Sequence, residues 1–363
     1  MQTKLFWGLV AFLLMSSLFL ACPSGSPDPE PTTDAATQDK IPVATDAKAL
    51  YAKYCALCHG DKGEGYKADG ANALNNGYFL AIADDAFVRH AIVKGRPGTS
   101  MSAWSSDYGG PLSKDDVDKL VKLIRGWASQ PVVQLDNKKK INGSTIRGKV
   151  QYELRCASCH GDKGQGTMTA LSLNNSEFLA TASDEFLRYS IAKGRPGTAM
   201  PAYEKQLTTQ AINDLVALIR SWATPPDQTK KELPDKTLKP LMNHPNGTEP
   251  DFTSKDRFVA ADTVKTALDK KQKFILLDAR PPSDYVTDHI TGAVSVPFYG
   301  VAEYLTQLPK DVWIVTYCAC PHAESGKAYD ALKANGYTKI KVLNEGYRVW
   351  KQRGYPTKKG KKP

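Results

Sequence analysis

The chain has 363 residues, with 48 Lys+Arg against 38 Asp+Glu and 7 Cys. At about 100–150 residues per domain that length makes two or three domains, and 41% apolar with 24% charged residues excludes wholesale disorder. The net charge of +10 is diluted over a long chain and partly concentrated in the tail Lys358-Lys359-Gly360-Lys361-Lys362. It reads as a solvated basic surface or a preference for acidic partners.

Lys4 is followed by an apolar run from Leu5 to Ala21 and then Cys22. The run is short for a membrane span and right for a signal-peptide core, so residues 1–21 are expected to export the chain. Phe19-Leu20-Ala21-Cys22 resembles a bacterial lipobox, with Phe19 at the position usually held by Leu. That resemblance implies lipidation of Cys22 as the mature N-terminus, and a periplasmic protein anchored to a membrane by lipid. Residues 22–45, rich in Pro, Ser, Thr and Asp, hold too few large apolar side chains to bury a core and read as a tether.

An internal repeat follows. Cys55-Ala-Leu-Cys58-His59 and Cys156-Ala-Ser-Cys159-His160 share the spacing C-x-x-C-H, each followed by Gly-Asp-Lys-Gly. KGRPGTSM (94–101) is matched by KGRPGTAM (193–200), and LVKLIRGW (120–127) by LVALIRSW (215–222). The offsets are 101, 99 and 95 residues, so two domains of one kind, 46–130 and 143–224, stand in tandem with small loop changes.

Two thiols three positions apart can each bond one vinyl group of a haem, and the adjacent His then sits under the iron. A thioredoxin-type pair would need a βαβ setting, and structural zinc would need two more ligands per domain; neither is present. Cys55, Cys58, Cys156 and Cys159 are therefore expected to hold two covalent haems, with His59 and His160 as proximal ligands. On the other side of the iron, repeat one offers His90 and Met101, while repeat two offers Met200 and has Tyr189 where His90 would be. One shared architecture makes Met101 and Met200 the sixth ligands. His90 is then a surface or helix-face residue, and Met168, which has no counterpart, is core filler. His/Met ligation raises the potential and leaves no open site, which favours electron transfer over substrate chemistry.

Ala47/Tyr51 and Gly148/Tyr152 precede each Cys motif at helical spacing, the small residue permitting close crossing by another helix. Leu120, Leu123, Ile124 and Trp127, like Leu215, Leu218, Ile219 and Trp222, form the apolar stripe of a terminal helix. Residues 46–128 and 147–223 resemble class I cytochrome c domains. The resemblance implies a small all-α fold around one haem, with an exposed edge for electron exchange.

Residues 225–251 are polar and Pro-rich without a sustained period and read as a linker in which His244 is solvated. From 252 to 358 short apolar runs alternate with amphipathic stretches. FILLDAR (274–280), VWIVTYC (312–318) and KIKVL (339–343) read as buried strands, and Glu324 to Asn335 as a helix ended by Gly336. The pattern predicts an α/β domain with a parallel sheet.

Cys318 ends a strand just before a helix, where backbone N–H groups and the helix dipole favour thiolate or cradle an anionic sulfur. This arrangement, with LLDARPPSDYVTDHITGAVSVPF and VLNEGYRVWKQRGYP, resembles the rhodanese domain. The resemblance implies Cys318 as a sulfur-accepting nucleophile that passes through a persulfide. The loop Cys318-Ala-Cys320-Pro-His322-Ala-Glu324-Ser325 departs from the family's shorter Arg- and Gly-containing cradle. No Arg lies in it, and Glu324 is expected to repel an anion. Cys320 could form a disulfide or resolve a persulfide. Cys318, Cys320 and His322 could also bind a metal, or the domain could be a non-catalytic binding module. Asp278 and Arg280 read as a structural ion pair, and His289 as a packing and hydrogen-bonding residue.

Together these features predict a periplasmic dihaem c-type cytochrome that carries single electrons between redox partner proteins. Sulfane-sulfur chemistry at Cys318 would feed it. The competing readings are a sulfurtransferase with accessory cytochromes, and a dihaem carrier whose rhodanese-like domain docks a partner. A nucleic-acid partner is not expected, because no basic–aromatic patch is present.

Overall fold

The computed structural model describes residues 46–363 apart from 67, 69, 228, 230, 231, 320 and 321. The expected signal segment, lipidated Cys22 and tether lie outside the described residues, as does Cys320. Among the described residues no helix is long and apolar enough to cross a membrane.

The first repeat is helical: α1 (Ala47–Tyr54), α2 (Ala56–His59), α3 (Gly77–Leu80), α4 (Asp85–Lys94), a 3₁₀ turn at Ser106–Tyr108 and α5 (Lys114–Arg125). The second copies it with α6 (Thr145–Arg155), α7 (Ala157–His160), α8 (Ser176–Thr181), α9 (Asp184–Lys193) and α10 (Thr209–Ser221). Short polar side chains start the helices by accepting orphan backbone N–H groups: Asn76 and Asp84 in one repeat, Asn175 and Ser183 in the other. The terminal helices bury the expected stripes, Leu120 and Ile124 on α5 and Leu215, Leu218 and Ile219 on α10. Gly148 permits the close crossing of α6 over α10, since a Cβ there would lie 2.7 Å from the Asp214 carbonyl carbon.

The two helical domains are joined by a pseudo-symmetric contact that the repeat offset of 99 makes visible. Asn76 Nδ2 donates to Pro196 O at 2.9 Å, and Asn175 Nδ2 donates to Pro97 O at 2.9 Å. Between these bonds Phe87 and Phe186 stack with centroids 4.9 Å apart. Arg96 lies over Phe87 and Phe178, and Arg195 over Phe79 and Phe186.

The C-terminal unit runs β1 (Phe258–Val259), α11 (Ala261–Asp269), β2 (Ile275–Asp278), α12 (Pro282–Thr287), β3 (His289–Ile290), β4 (Ala293–Ser295) and a 3₁₀ stretch at Phe298–Gln307. It continues through β5 (Ile314–Tyr317), α13 (Ala323–Ala334), β6 (Ile340–Leu343), α14 (Gly346–Gln352) and β7 (Thr357–Lys358). Five strands form a parallel sheet in the order β1-β6-β5-β2-β4, with Leu276 opposite Val315 and Val315 opposite Lys341. β2, β5 and β6 fall within the three predicted strands, fully buried as a sheet covered on both faces requires. β3 and β7 pair antiparallel at the rim.

Residues 225–251 are not a bare linker. Leu238 is buried and donates its backbone N–H to Gln307, while Asn243 bonds Phe274 O and Gly292 O, which fastens this stretch to the α/β unit. Its scattered apolar residues have no period to betray them. His244 is exposed, as expected.

Candidate haem sites and the Cys318 pocket

α1 runs into the Cys55–His59 segment with only a change of direction at Cys55, whose N–H donates to Tyr51 O; Cys156 does the same to Tyr152 O. The Tyr51 hydroxyl donates to Gly60 O at 2.9 Å and Tyr152 to Gly161 O at 2.7 Å, clamping each Cys–His turn from behind. Trp127 and Trp222 meet these tyrosines edge-on at 5.0 Å.

His59 Nδ1–H donates to Asn72 O, and His160 Nδ1–H to Leu171 O, both at 2.9 Å. Both rings are buried, and burial lowers their pKa, so they stay neutral. With Nδ1 committed as a donor, the Nε2 lone pair remains for a metal bond. Burial pushes the Cys55 thiol up to about 12 and Cys156 up to about 11. A redox-active thiol pair needs the opposite shift. All four thiols are free of disulfides. The residues present therefore fit covalent haem: unpaired thiols, and an imidazole fixed in the ligating tautomer.

The expected sixth ligands sit on two matching loops. Thr99 Oγ1 donates to Arg96 O and accepts from Met101 N–H, while Arg96 N–H donates to Met101 O. Thr198, Arg195 and Met200 repeat every bond. Gly98 and Gly197 both have φ of +84° with open space around them, so backbone conformation alone demands glycine there. Met168 departs from expectation. It is 55% exposed rather than core filler, because the loop around it runs over the surface.

The sequence reading missed several residues. Arg125 binds Asp85, Leu80 O and Ala83 O, and Arg220 binds Asp184, Leu179 O and Ala182 O, tying each terminal helix to the preceding loop. Their signal was the Arg shared by both LIR motifs. His90 is partly exposed on the face of α4, as expected, but its partner was not foreseen: its Nε2 lies 2.6 Å from buried Glu177 of the other domain. Arg96 and Arg195 are half-buried cations at the domain contact, and burial pulls each down to about 10.

In the α/β unit, Cys318 follows β5 and is fully buried, with Sγ 3.2 Å from Ser325 Oγ on the first turn of α13. Glu324 beside it is also buried. Desolvation, reinforced by Cys318 and Asp284, raises its pKa well above the ordinary value. It therefore holds its proton to higher pH than an ordinary glutamate, and the contribution of Cys318 to that shift has the sign of the expected repulsion between Glu324 and an anionic sulfur. His322 stacks on Phe258 and donates Nε2–H to Asn344 O at 2.8 Å. Among the described residues no group of three His, Cys, Asp or Glu side chains could hold a metal.

Arg280 and Asp278 form the expected buried ion pair, at 2.9 and 2.5 Å, and Asp278 also accepts from the Tyr317 hydroxyl. His289 stacks on Tyr285 and donates Nδ1–H to its carbonyl, the packing role foreseen.

Comparison with known families matches this division. The model for cytochrome c oxidase, cbb3-type, subunit III covers residues 42–124 and 144–219, and the rhodanese-like domain model covers 260–353. The chain carries two cytochrome c domains and a rhodanese-like domain. The cytochrome region is 27% identical over 199 residues to the cbb3-type cytochrome c oxidase subunit CcoP of Azospirillum sp. (strain B510), covering 48% of this chain and 60% of that protein. The chain thus spans about 60% of the length of such curated relatives. The rhodanese-like domain is 26% identical over 98 residues to a sulfurtransferase of Allochromatium vinosum, covering 27% of this chain and 91% of that protein. The solution structure of a rhodanese-like domain from Anabaena is 28% identical, covering 29% of this chain and 80% of that one, with a TM-score of 0.28.

Proposed function

We propose that the chain is an exported, lipid-anchored dihaem c-type cytochrome that moves single electrons between periplasmic redox partners and draws them from sulfur bound at Cys318. Cys55/Cys58 and Cys156/Cys159 form the thioethers, His59/Met101 and His160/Met200 bind the irons, and Cys22 carries the lipid. Haem supplies one-electron exchange at iron. The protein supplies the fixed imidazole tautomer, the Thr-braced Met loops and a dry pocket. One observation carries this reading: the His Nδ1-to-carbonyl bond beside two unpaired thiols, built identically in both repeats.

Sulfane sulfur is held at Cys318 as a persulfide, with Ser325 in contact and the buried carboxyl of Glu324 beside it. The test mixes oxidised holoprotein anaerobically with a small-molecule persulfide and follows the haem bands in wild type and Cys318→Ser. Reduction that fails in the variant supports the reading; equal rates remove Cys318 from it. The complete burial of Cys318 favours a second reading, in which the rhodanese-like domain is a docking module; equal rates would select it. Cyanide-dependent sulfur release that persists without haem would instead select a sulfurtransferase with accessory cytochromes.

A further inference from the structure

The two cytochrome domains present the same face in different ways. In domain 2 the segment after Met200 is Pro201-Ala202-Tyr203, with Pro201 and Ala202 exposed, as are Ser158 and Cys159 on the Cys motif beside it. In domain 1 the matching segment is Ser102-Ala103-Trp104, with all three buried. The rhodanese-like domain covers it.

The contact is specific. Ser102, the residue after Met101, donates from Oγ to Asp284 Oδ2 of α12 at 2.5 Å. Trp104 meets Phe298 edge-on at 6.4 Å and Tyr299 at 6.5 Å, and Tyr54 meets Tyr299 at 5.8 Å. Tyr299 also reaches Gly109 O at 3.4 Å. Helix α13, whose first turn holds Glu324 and Ser325 against Cys318, touches α2, which carries Cys58 and His59. Burial, then Glu324 and Tyr54, suppress ionisation of Tyr299, as expected for a ring lying between the Cys318 pocket and domain 1. In repeat two Trp104 is matched by another aromatic, Tyr203, but Tyr54 is matched by Arg155, so the Tyr54 ring of this contact belongs to domain 1 alone.

We propose that the Tyr54–Ser102–Trp104 face of domain 1 is the built-in electron-receiving surface for the Cys318 pocket, with Tyr299 bridging the two. Electrons enter at domain 1, cross to domain 2 through the Phe87–Phe186 contact, and leave from the face that domain 2 keeps open. This rests on the reading of Cys318 as the sulfur-handling residue. With hydrosulfide as substrate, the Cys318 thiolate and HS⁻ form one S–S bond. The proton of HS⁻ goes to solvent, and two electrons leave, one to the ferric haem of each domain. Persulfide and two ferrous haems result, and the charge balances.

The experiment uses full-length oxidised holoprotein, sodium hydrosulfide and anaerobic stopped-flow, with Ser102→Asp, Tyr299→Ala and Cys318→Ser variants. Ser102→Asp replaces a charge-assisted bond with like-charge repulsion of Asp284 and is expected to slow haem reduction about tenfold. Tyr299→Ala leaves domain 1 chemically intact and is expected to slow it too. Both variants should expose Cys318 to faster alkylation by iodoacetamide, read by mass spectrometry. Unchanged hydrosulfide kinetics and alkylation in both variants, with Cys318→Ser inactive, overturn the docking and leave the sulfur reading standing. Wild-type kinetics in Cys318→Ser overturn the sulfur reading itself.

Discussion

Gly148→Ala separates two physical arguments by sign. Helix propensity alone makes Ala better than Gly inside α6 by about 1 kcal/mol. The α6–α10 crossing says the reverse: the new Cβ would fall on the Asp214 carbonyl and 3.1 Å from Leu218 Cβ, against backbone that cannot rotate away. Overpacking of this kind costs about 3 kcal/mol at its upper end. The net expectation is a loss of about 2 kcal/mol, or about thirtyfold in the unfolding equilibrium of domain 2. Urea unfolding of the holoprotein, followed by far-UV circular dichroism, should show a lower midpoint for the domain 2 transition with unchanged slope. Ala47→Gly at the matching site of domain 1, where Ala is native, should lose about 1 kcal/mol from propensity. A Gly148→Ala protein more stable than wild type would refute the close-crossing argument.

Three further outcomes follow from the same geometry. Arg220→Met leaves the carboxylate of Asp184, 5% exposed, without its cation and should cost about 3 kcal/mol in urea unfolding. Arg147 first, then the Ser144 N–H and Gln210, hold Asp214 down at about 2. Its contribution is therefore present above the ordinary aspartate value and lost as pH falls through about 2; Asp214→Asn should flatten that acid limb. Glu324 has the opposite sign. The unfolded chain releases its proton above about pH 4.3 while the folded chain keeps it, so stability declines as pH rises towards neutrality. Glu324→Gln should remove that slope, and an unchanged pH profile would mean that the carboxyl is ionised when folded.

Local pattern made much of this molecule legible. The C-x-x-C-H pairs, the 99-residue offset of the Met loops and the apolar runs of β2, β5 and β6 are short-range signals, and the elements stand where those signals lie. What escaped is what tertiary contact alone decides. His90 finds Glu177 across 87 residues, and Asn76 finds Pro196 across 120, with nothing periodic to announce either. Nothing in the local sequence announces the burial of Glu324, which raises its pKa above the ordinary glutamate value. The stretch 225–251 looks like a linker because Leu233 and Leu238 are isolated in polar sequence, yet Leu238 is buried and Leu233 packs on Gly109 of domain 1.

The central claim is that each repeat binds its own haem through its own Cys pair. Intact-mass measurement of the exported holoprotein, beside a Cys55→Ala/Cys58→Ala variant, tests it most directly. Two covalent haem adducts in the wild type and one in the variant are predicted; fewer than two in the wild type, or no loss in the variant, would contradict the account.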